Sequence, residues 1–236
     1  WANCDVELET GSGLVPFIYA ARAPVPALQW AVGMELFLLT EDAKKVCLTT
    51  DSPNAGPFTR YPRVISWLMS NRARNDLMDG ELHKWAQRKS SIATLDREYS
   101  FLEIAQVTRA TPAKVLGLSD TKGHLGAGAD ADVAIYNFNP ETQNPSADYR
   151  ALEAAFQHAA LVLKDGTPVV KEGVVVNPTL RGRSYWVDTM LDETVYNEVV
   201  ADVEKQFKQY YSVNFANYPV QDSYLPHSAP VKGVIQ

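Results

Sequence analysis

The chain has 236 residues, 46% of them apolar and 21% charged, with a formal net charge of −6. That length buries a full core, and that balance is the one of an ordinary soluble globular protein. The acidic surplus argues against a nucleic-acid partner, which needs a basic face, and no apolar run is long enough to span a bilayer, so a membrane partner is not expected. Two cysteines, Cys4 and Cys47, are too few for a disulfide scaffold and suit a reducing, cytoplasmic compartment. Neither belongs to a C-x-x-C pair, and both are expected as small buried or strand-end apolar residues.

The chain opens at Trp1 without a methionine and passes directly into alternating strand-like and helix-like segments. It is therefore expected to be the C-terminal part of a longer polypeptide. Residues 4–9 alternate apolar and acidic side chains and break at Gly11-Ser12-Gly13, which predicts a strand and a loop. A second apolar run follows over residues 14–19. From residue 27 to 40 apolar residues recur at helical spacing behind Pro24 and Pro26, predicting a helix that buries Leu28, Ala31, Val32, Leu36 and Leu39. Glu35, inside that apolar segment, is expected to find a partner or the helix rim. Residues 46–50 are β-branched or apolar and too few for a helix, predicting a strand that ends at Asp51. Ser52-Pro53-Asn54 and Ala55-Gly56-Pro57 then open a loop. Strand, helix, strand is the order of a parallel α/β unit.

A helix is predicted from about residue 62 to 72, with Val64, Ile65, Leu68 and Met69 on its buried side. Residues 71–91 are rich in charge, lose clear periodicity, and read as an exposed helical connector or loop. Residues 101–108 read as a helix behind an N-cap at Ser100, with Glu103 as its capping-box partner. Thr111-Pro112-Ala113 reads as the start of another helix, with Thr111 as N-cap and Gly117 as its close. The composition then shifts near Ser119. A glycine-punctuated turn over residues 123–132 leads into a strand at 133–136, and residues 161–176 read as a β-meander turning at Asp165-Gly166 and Glu172-Gly173. Residues 192–210 form an amphipathic helix with Val195, Val199, Val203 and Phe207 on one side, followed from Tyr211 by an irregular tail.

Chemistry-bearing residues are few. The glycines of 123–128 do not match G-x-G-x-x-G and precede a strand, so they read as a turn and not as a phosphate cradle. His83, His124, His158 and His227 show no H-x-H or H-x-x-x-H spacing, so they build no local zinc site. There is no G-x-S-x-G elbow, and neither cysteine has a histidine near it in sequence. Asp51 carries two readings. It caps the turn through an Asx hydrogen bond, or it is a catalytic carboxylate at the C-terminal end of a strand, where α/β barrels place their chemistry.

Residues 108–118, followed by the turn of 123–132 and the strand to Tyr136, resemble the C-terminal signature of the amidohydrolase superfamily. Residues 29–36, residues 48–58 with Tyr61-Pro62, and Gly182-Arg183-Ser184-Tyr185 are similar to the A-type subunit of formylmethanofuran dehydrogenase and its counterpart in bacterial formyltransferase/hydrolase complexes. The resemblance implies an α/β fold: the last strands and helices of a (β/α)8 barrel over residues 1–118, a small β-sandwich over 119–182, and a C-terminal helix and extended tail over 183–236. It also implies a metal centre, usually of two zinc ions, whose histidines and carboxylated lysine lie on strands preceding this chain. Asp51 then serves as catalytic proton carrier and metal ligand, with Asn54, Phe58 and Arg60 as substrate contacts. The implied reaction makes or breaks the formamide C–N bond between formate and a methanofuran-type amine, within a hetero-oligomeric complex of several subunits. The sequence departs from the pattern at Ser52, where a histidine often follows the aspartate. Two further readings stand beside this one: another metal-dependent amidohydrolase of the cyclic-amide type, and a non-catalytic scaffold protein.

Overall fold

A computed structural model of the chain describes residues 20–50, 52, 57–188, 191–218 and 229–232. The chain divides into two compact units, Pro16–Pro178 and another that holds the residues from Thr179 onward. The expected strand at 4–9, the apolar run at 14–19, Cys4 and His227 lie outside the described residues.

Within the first unit, helix α1 spans Pro24–Leu39 with proline in its first turn, where the missing N–H costs no intrahelical bond. It buries Ala27, Trp30, Ala31, Met34, Phe37 and Leu38. Of the face expected from the sequence, Ala31 is buried and Leu28 is half-buried, but Val32, Leu36 and Leu39 are exposed. The reason is that α1 is apolar almost all round, so periodicity offers two stripes, and the one carrying the bulky Trp30, Met34 and Phe37 faces the core. Trp30 meets Trp67 edge-to-face at 5.6 Å, and Phe37 meets Tyr99 at 6.4 Å. Glu35 accepts hydrogen bonds from the backbone N–H and the hydroxyl of Ser91, so it is partnered as expected.

Helix α2 (Tyr61–Met69) buries Ile65, Leu68 and Met69, and the chain breaks at Ser70. Ser70 caps the next helix, α3 (Asn71–Gly80), by accepting from Ala73 N–H at 3.0 Å, and donates its hydroxyl to the Ser146 carbonyl at 2.8 Å. The charged stretch expected as an exposed helical connector or loop is helical but partly buried: α3 and α4 (Lys84–Arg88) bury Ala73, Leu77, Met78 and Ala86, with Leu82 between them. Arg74 is fully buried as well. Its guanidinium donates to the carbonyls of Trp67 at 2.6 Å, Leu95 at 3.1 Å and Arg97 at 2.8 Å. Burial lowers its pKa, opposed by the carboxylates of Glu98 and Asp96.

That fork fixes the segment leading to helix α5 (Phe101–Ala105). Tyr99 donates its N–H to Leu68 and its hydroxyl to the Phe37 carbonyl. Arg97 donates to the carbonyls of Leu38 and Thr40, acceptors that the end of α1 leaves open, and pairs with Glu103 at 2.6 Å. Ser100 and Glu103 form the reciprocal capping box read from the sequence. Beyond Ala105 the helix does not end. It widens into a π-turn over Gln106–Ala110 and runs straight on into α6 (Thr111–Val115). Thr111 is thus a buried helical residue and not the N-cap of a new helix. Gly117 closes α6 as expected: its N–H donates to Lys114 and that of Leu118 to Ala113, a Schellman ending.

The turn after α6 packs back on it. At Gly123, with φ +81, an added Cβ would lie 2.8 Å from both the Ala113 Cβ and the Arg109 carbonyl oxygen. Gly123→Ala is expected to lower stability by about 2 kcal/mol, from backbone strain and overpacking together, read as a shift in the urea midpoint. A four-stranded antiparallel sheet follows, ordered β1-β2-β3-β4, from Val133–Ile135, Leu161–Lys164, Thr167–Lys171 and Val174–Val175. Both hairpin turns place their two central residues at positive φ, Asp165 and Gly166 at 53° and 74°, Glu172 and Gly173 at 47° and 74°, as tight two-residue turns require. Pro168 sits in the inner strand β3, and the ladder shifts register between Val162 and Leu163, opposite it, where a residue without an N–H is tolerated. Helix α7 (Tyr149–Gln157) buries Leu152 and stacks Phe156 on Tyr136 at 4.4 Å.

In the second unit, β5 (Tyr185–Asp188) pairs in parallel with β6 (Ala229–Lys232). Between them lies the expected helix, α8 (Glu193–Tyr210), which Asp192 caps by accepting from Val195 N–H at 3.0 Å. Phe207 gathers Tyr211, Phe215 and Tyr218 within 5.5 Å, which gives the start of the irregular tail its order.

Candidate active site

The segment on which the sequence places its chemistry begins after α1. Asp42 caps a short 3-10 turn, Ala43–Lys45, by accepting from Lys44 N–H at 3.0 Å. From Val46 (φ −129°, ψ 145°) the backbone is extended. Side chains alternate as in a strand, with Leu48 buried and Cys47 and Thr49 exposed. The expected strand at 46–50 nevertheless has no ladder partner among the described residues. Its backbone is held instead by a helix: Leu48 N–H donates to the Val107 carbonyl at 2.9 Å, inside the π-turn. Cys47 is a free, exposed thiol, so of the two expectations, buried or strand-end, burial does not hold: the period of two turns it outward while Leu48 takes the inward place.

The loop that follows is clasped at both ends. The Tyr61 hydroxyl, at the start of α2, donates to the Leu48 carbonyl over 3.5 Å, and Phe58 N–H donates to Ser52 Oγ at 3.3 Å. Ser52, standing in a position expected of histidine in the resemblance, thus acts as a loop fastener. Phe58 and Arg60 lie on a 3-10 turn, Phe58–Arg60, that runs into α2. Both are exposed, Phe58 by 69%, so neither is committed to the core. Asp51 and Asn54 lie outside the described residues.

Two of the histidines take structural parts. His83 Nδ1 accepts from Trp85 N–H at 3.2 Å and caps α4, and His124 Nδ1 accepts from Gly126 N–H at 3.1 Å. Among the described residues no three His, Cys, Asp or Glu side chains converge to hold a metal ion. No helix among the described residues is long and apolar enough to cross a membrane.

Among the described residues, the largest group of linked ion pairs joins the turn after α6 to the sheet. Lys122 pairs with Asp130 at 2.7 Å and with Asp132, and Asp132 also accepts from Lys164 at 2.8 Å and from Asp165 N–H at 2.9 Å. Partial burial works against the Asp132 charge, but the two lysines and the Asp165 N–H outweigh it and hold the carboxyl well below the usual carboxylate range. A carboxyl depressed on folding contributes stability above its unfolded pKa and loses it as the pH falls toward its folded one. The gap in urea midpoint between wild type and Asp132→Asn is therefore expected to hold above about pH 5 and to shrink progressively as the pH falls below about 4. The cluster pins the turn after α6 to the β2–β3 hairpin, a structural task that the glycine-rich sequence did not announce.

Comparison with known proteins shows which family the chain resembles. A match to the amidohydrolase family covers residues 1–170. The chain is 57% identical over 224 residues to protein FwdA of Methanocaldococcus jannaschii, covering 95% of this chain and 38% of that protein. It is 41% identical over 222 residues to the A component of the formyltransferase/hydrolase complex Fhc of Methylorubrum extorquens, covering 92% of this chain and 37% of that protein. Among solved structures, it superposes with a TM-score of 0.74 and 38% identity on a chain of the FhcABCD complex of the same organism with methylofuran, over 92% of this chain and 37% of that one. The chain thus spans less than two-fifths of the length of these relatives. The family match extends over most of the chain, through the Asp51 loop and the helix that holds it, and on that ground the chain belongs to the amidohydrolase family.

Proposed function

We propose that the chain is the C-terminal part of the A-type subunit of a formylmethanofuran dehydrogenase or formyltransferase/hydrolase complex. In this reading it makes or breaks the formamide C–N bond between formate and a methanofuran-type amine, in the cytoplasm and in complex with other subunits. The observation that carries it is the structural likeness to the FhcABCD complex with methylofuran, sustained over 92% of the chain. Residues 1–118 are read as the end of a barrel, 119–182 as the small β-domain and 183–236 as the C-terminal helix and tail.

Asp51 is the catalytic residue of this reading. A short carboxylate at the end of a rigidly held segment can take a proton from the attacking water and return it to the leaving amine as the C–N bond breaks. In the same reading Asp51 would also be one ligand of a zinc centre, whose other ligands would come from parts of the full-length polypeptide outside this chain. Bound zinc would supply hydroxide near neutral pH by lowering the pKa of its water. Asn54, Phe58 and Arg60 are the substrate contacts of this reading, and the exposure of Phe58 and Arg60 is compatible with that part.

A second reading, a cyclic-amide hydrolase, draws on a 36% identity over 75 residues to a D-hydantoinase of Streptomyces coelicolor, which covers 28% of this chain. Side-by-side turnover by the full-length polypeptide decides between them. Formate release from an N-formyl furfurylamine with no opening of hydantoin is the expected result. Ring opening of hydantoin alone would overturn the proposal.

A further inference from the structure

The π-turn explains how the Asp51 segment is fastened. In an α-helix the Val107 carbonyl would accept the N–H of Thr111. Here Thr111 N–H donates to Gln106 instead, so the turn is one residue wider. In the wider pattern the donor for Val107 would be residue 112, and Pro112 has no N–H to give. The Val107 carbonyl is thereby left without a helical donor, and Leu48 N–H occupies it at 2.9 Å. The carbonyl of Thr108, which the proline ring would meet in an α-turn, accepts from Arg109 Nη1 at 3.0 Å. Val107 is fully buried, so its carbonyl has no water as an alternative partner close by.

We propose that Pro112 is a positioning residue for the Asp51 loop: by withholding an amide proton from the Val107 carbonyl, it reserves that acceptor for Leu48. Leu48 stands three residues before Asp51, and its own carbonyl is held by the Tyr61 hydroxyl, so both sides of one extended residue are pinned just ahead of the loop. The sequence Thr111-Pro112 thus acts on the site at a distance of some sixty positions, through one hydrogen bond and without touching the substrate. The catalytic half of this proposal rests on the Asp51 reading; the structural half does not.

Pro112→Ala in the full-length protein tests both halves. The substitution gives residue 112 an N–H that competes for Val107. Amide exchange over residues 46–50 is expected to quicken on the order of tenfold, while exchange over the β2–β3 hairpin stays as in wild type. Formate release should fall several-fold in kcat with KM unchanged, since the loop is loosened and no substrate contact is removed. Unchanged exchange over 46–50 would overturn the latch whatever the activity. Faster exchange with a wild-type kcat would overturn the positioning role. An Asp51→Asn control separates the two readings: if that variant turns over normally, the Asp51 assignment fails, and the exchange result still decides the latch.

Discussion

Asp51→Asn in the full-length polypeptide is expected to cut formate release from an N-formyl amine by about 10²–10⁴-fold, the range that a positioned acid–base group contributes. The amide has nearly the carboxylate's size and can still cap the turn, so the fold and the urea midpoint should hold. What it loses is the capacity to take a proton and the charge that makes a carboxylate a good metal ligand. The two roles separate by metal content: equal zinc with lost turnover assigns Asp51 to proton transfer, and lost zinc assigns it to the metal as well. If Asp51 only capped its turn, turnover would stay near normal.

Arg74→Met is expected to be the most damaging single change to the first unit, at about 3 kcal/mol or more. Methionine fills much the same volume, but the carbonyls of Trp67, Leu95 and Arg97 lose their donor in a site that is closed to water. Each buried acceptor left alone costs about 1–3 kcal/mol. Arg74→Lys should recover only part of this, because a single ammonium on a flexible stem cannot reproduce a planar fork. Urea unfolding of the three proteins checks the order wild type, lysine, methionine. A methionine variant within about 0.5 kcal/mol of wild type would show that these carbonyls find other partners. The effect should reach the site too, since the segment 95–99 sets the start of the helix whose Val107 holds Leu48.

What could be read from the sequence was local. The Ser100–Glu103 capping box and the Asp165-Gly166 and Glu172-Gly173 turns each depend on residues within a few positions of one another, and each stands where its composition places it. What escaped depended on partners distant in sequence. The face of α1 could not be chosen because nearly every position is apolar, and packing against Trp67 and Tyr99 selects it. The burial of α3 was hidden because Arg72, Arg74, Asp76 and Asp79 dominate its composition, while its apolar positions are only Ala73, Leu77 and Met78. No rule of composition tells that one of those arginines is an interior residue serving three carbonyls.

The Asp51 loop divides along the same line. Its extended approach, its proline-rich opening and its candidate carboxylate are visible in ten consecutive residues. The hydrogen bond that fastens it comes from a helix some sixty residues later. The signal was present but read differently: a Thr-Pro pair after Arg109-Ala110 looks like a helix start, whereas buried Ile104, Val107 and Thr111 continue one helical stripe across it. A proline within an unbroken stripe is the mark of a widened turn, and widened turns free carbonyls for other segments.

The central claim, that the protein containing this chain hydrolyses a formamide C–N bond, is tested most directly in ¹⁸O-labelled water. The full-length polypeptide, incubated with an N-formyl furfurylamine in that solvent, is predicted to release free amine together with formate that carries one solvent oxygen. Intact substrate and no labelled formate would contradict it.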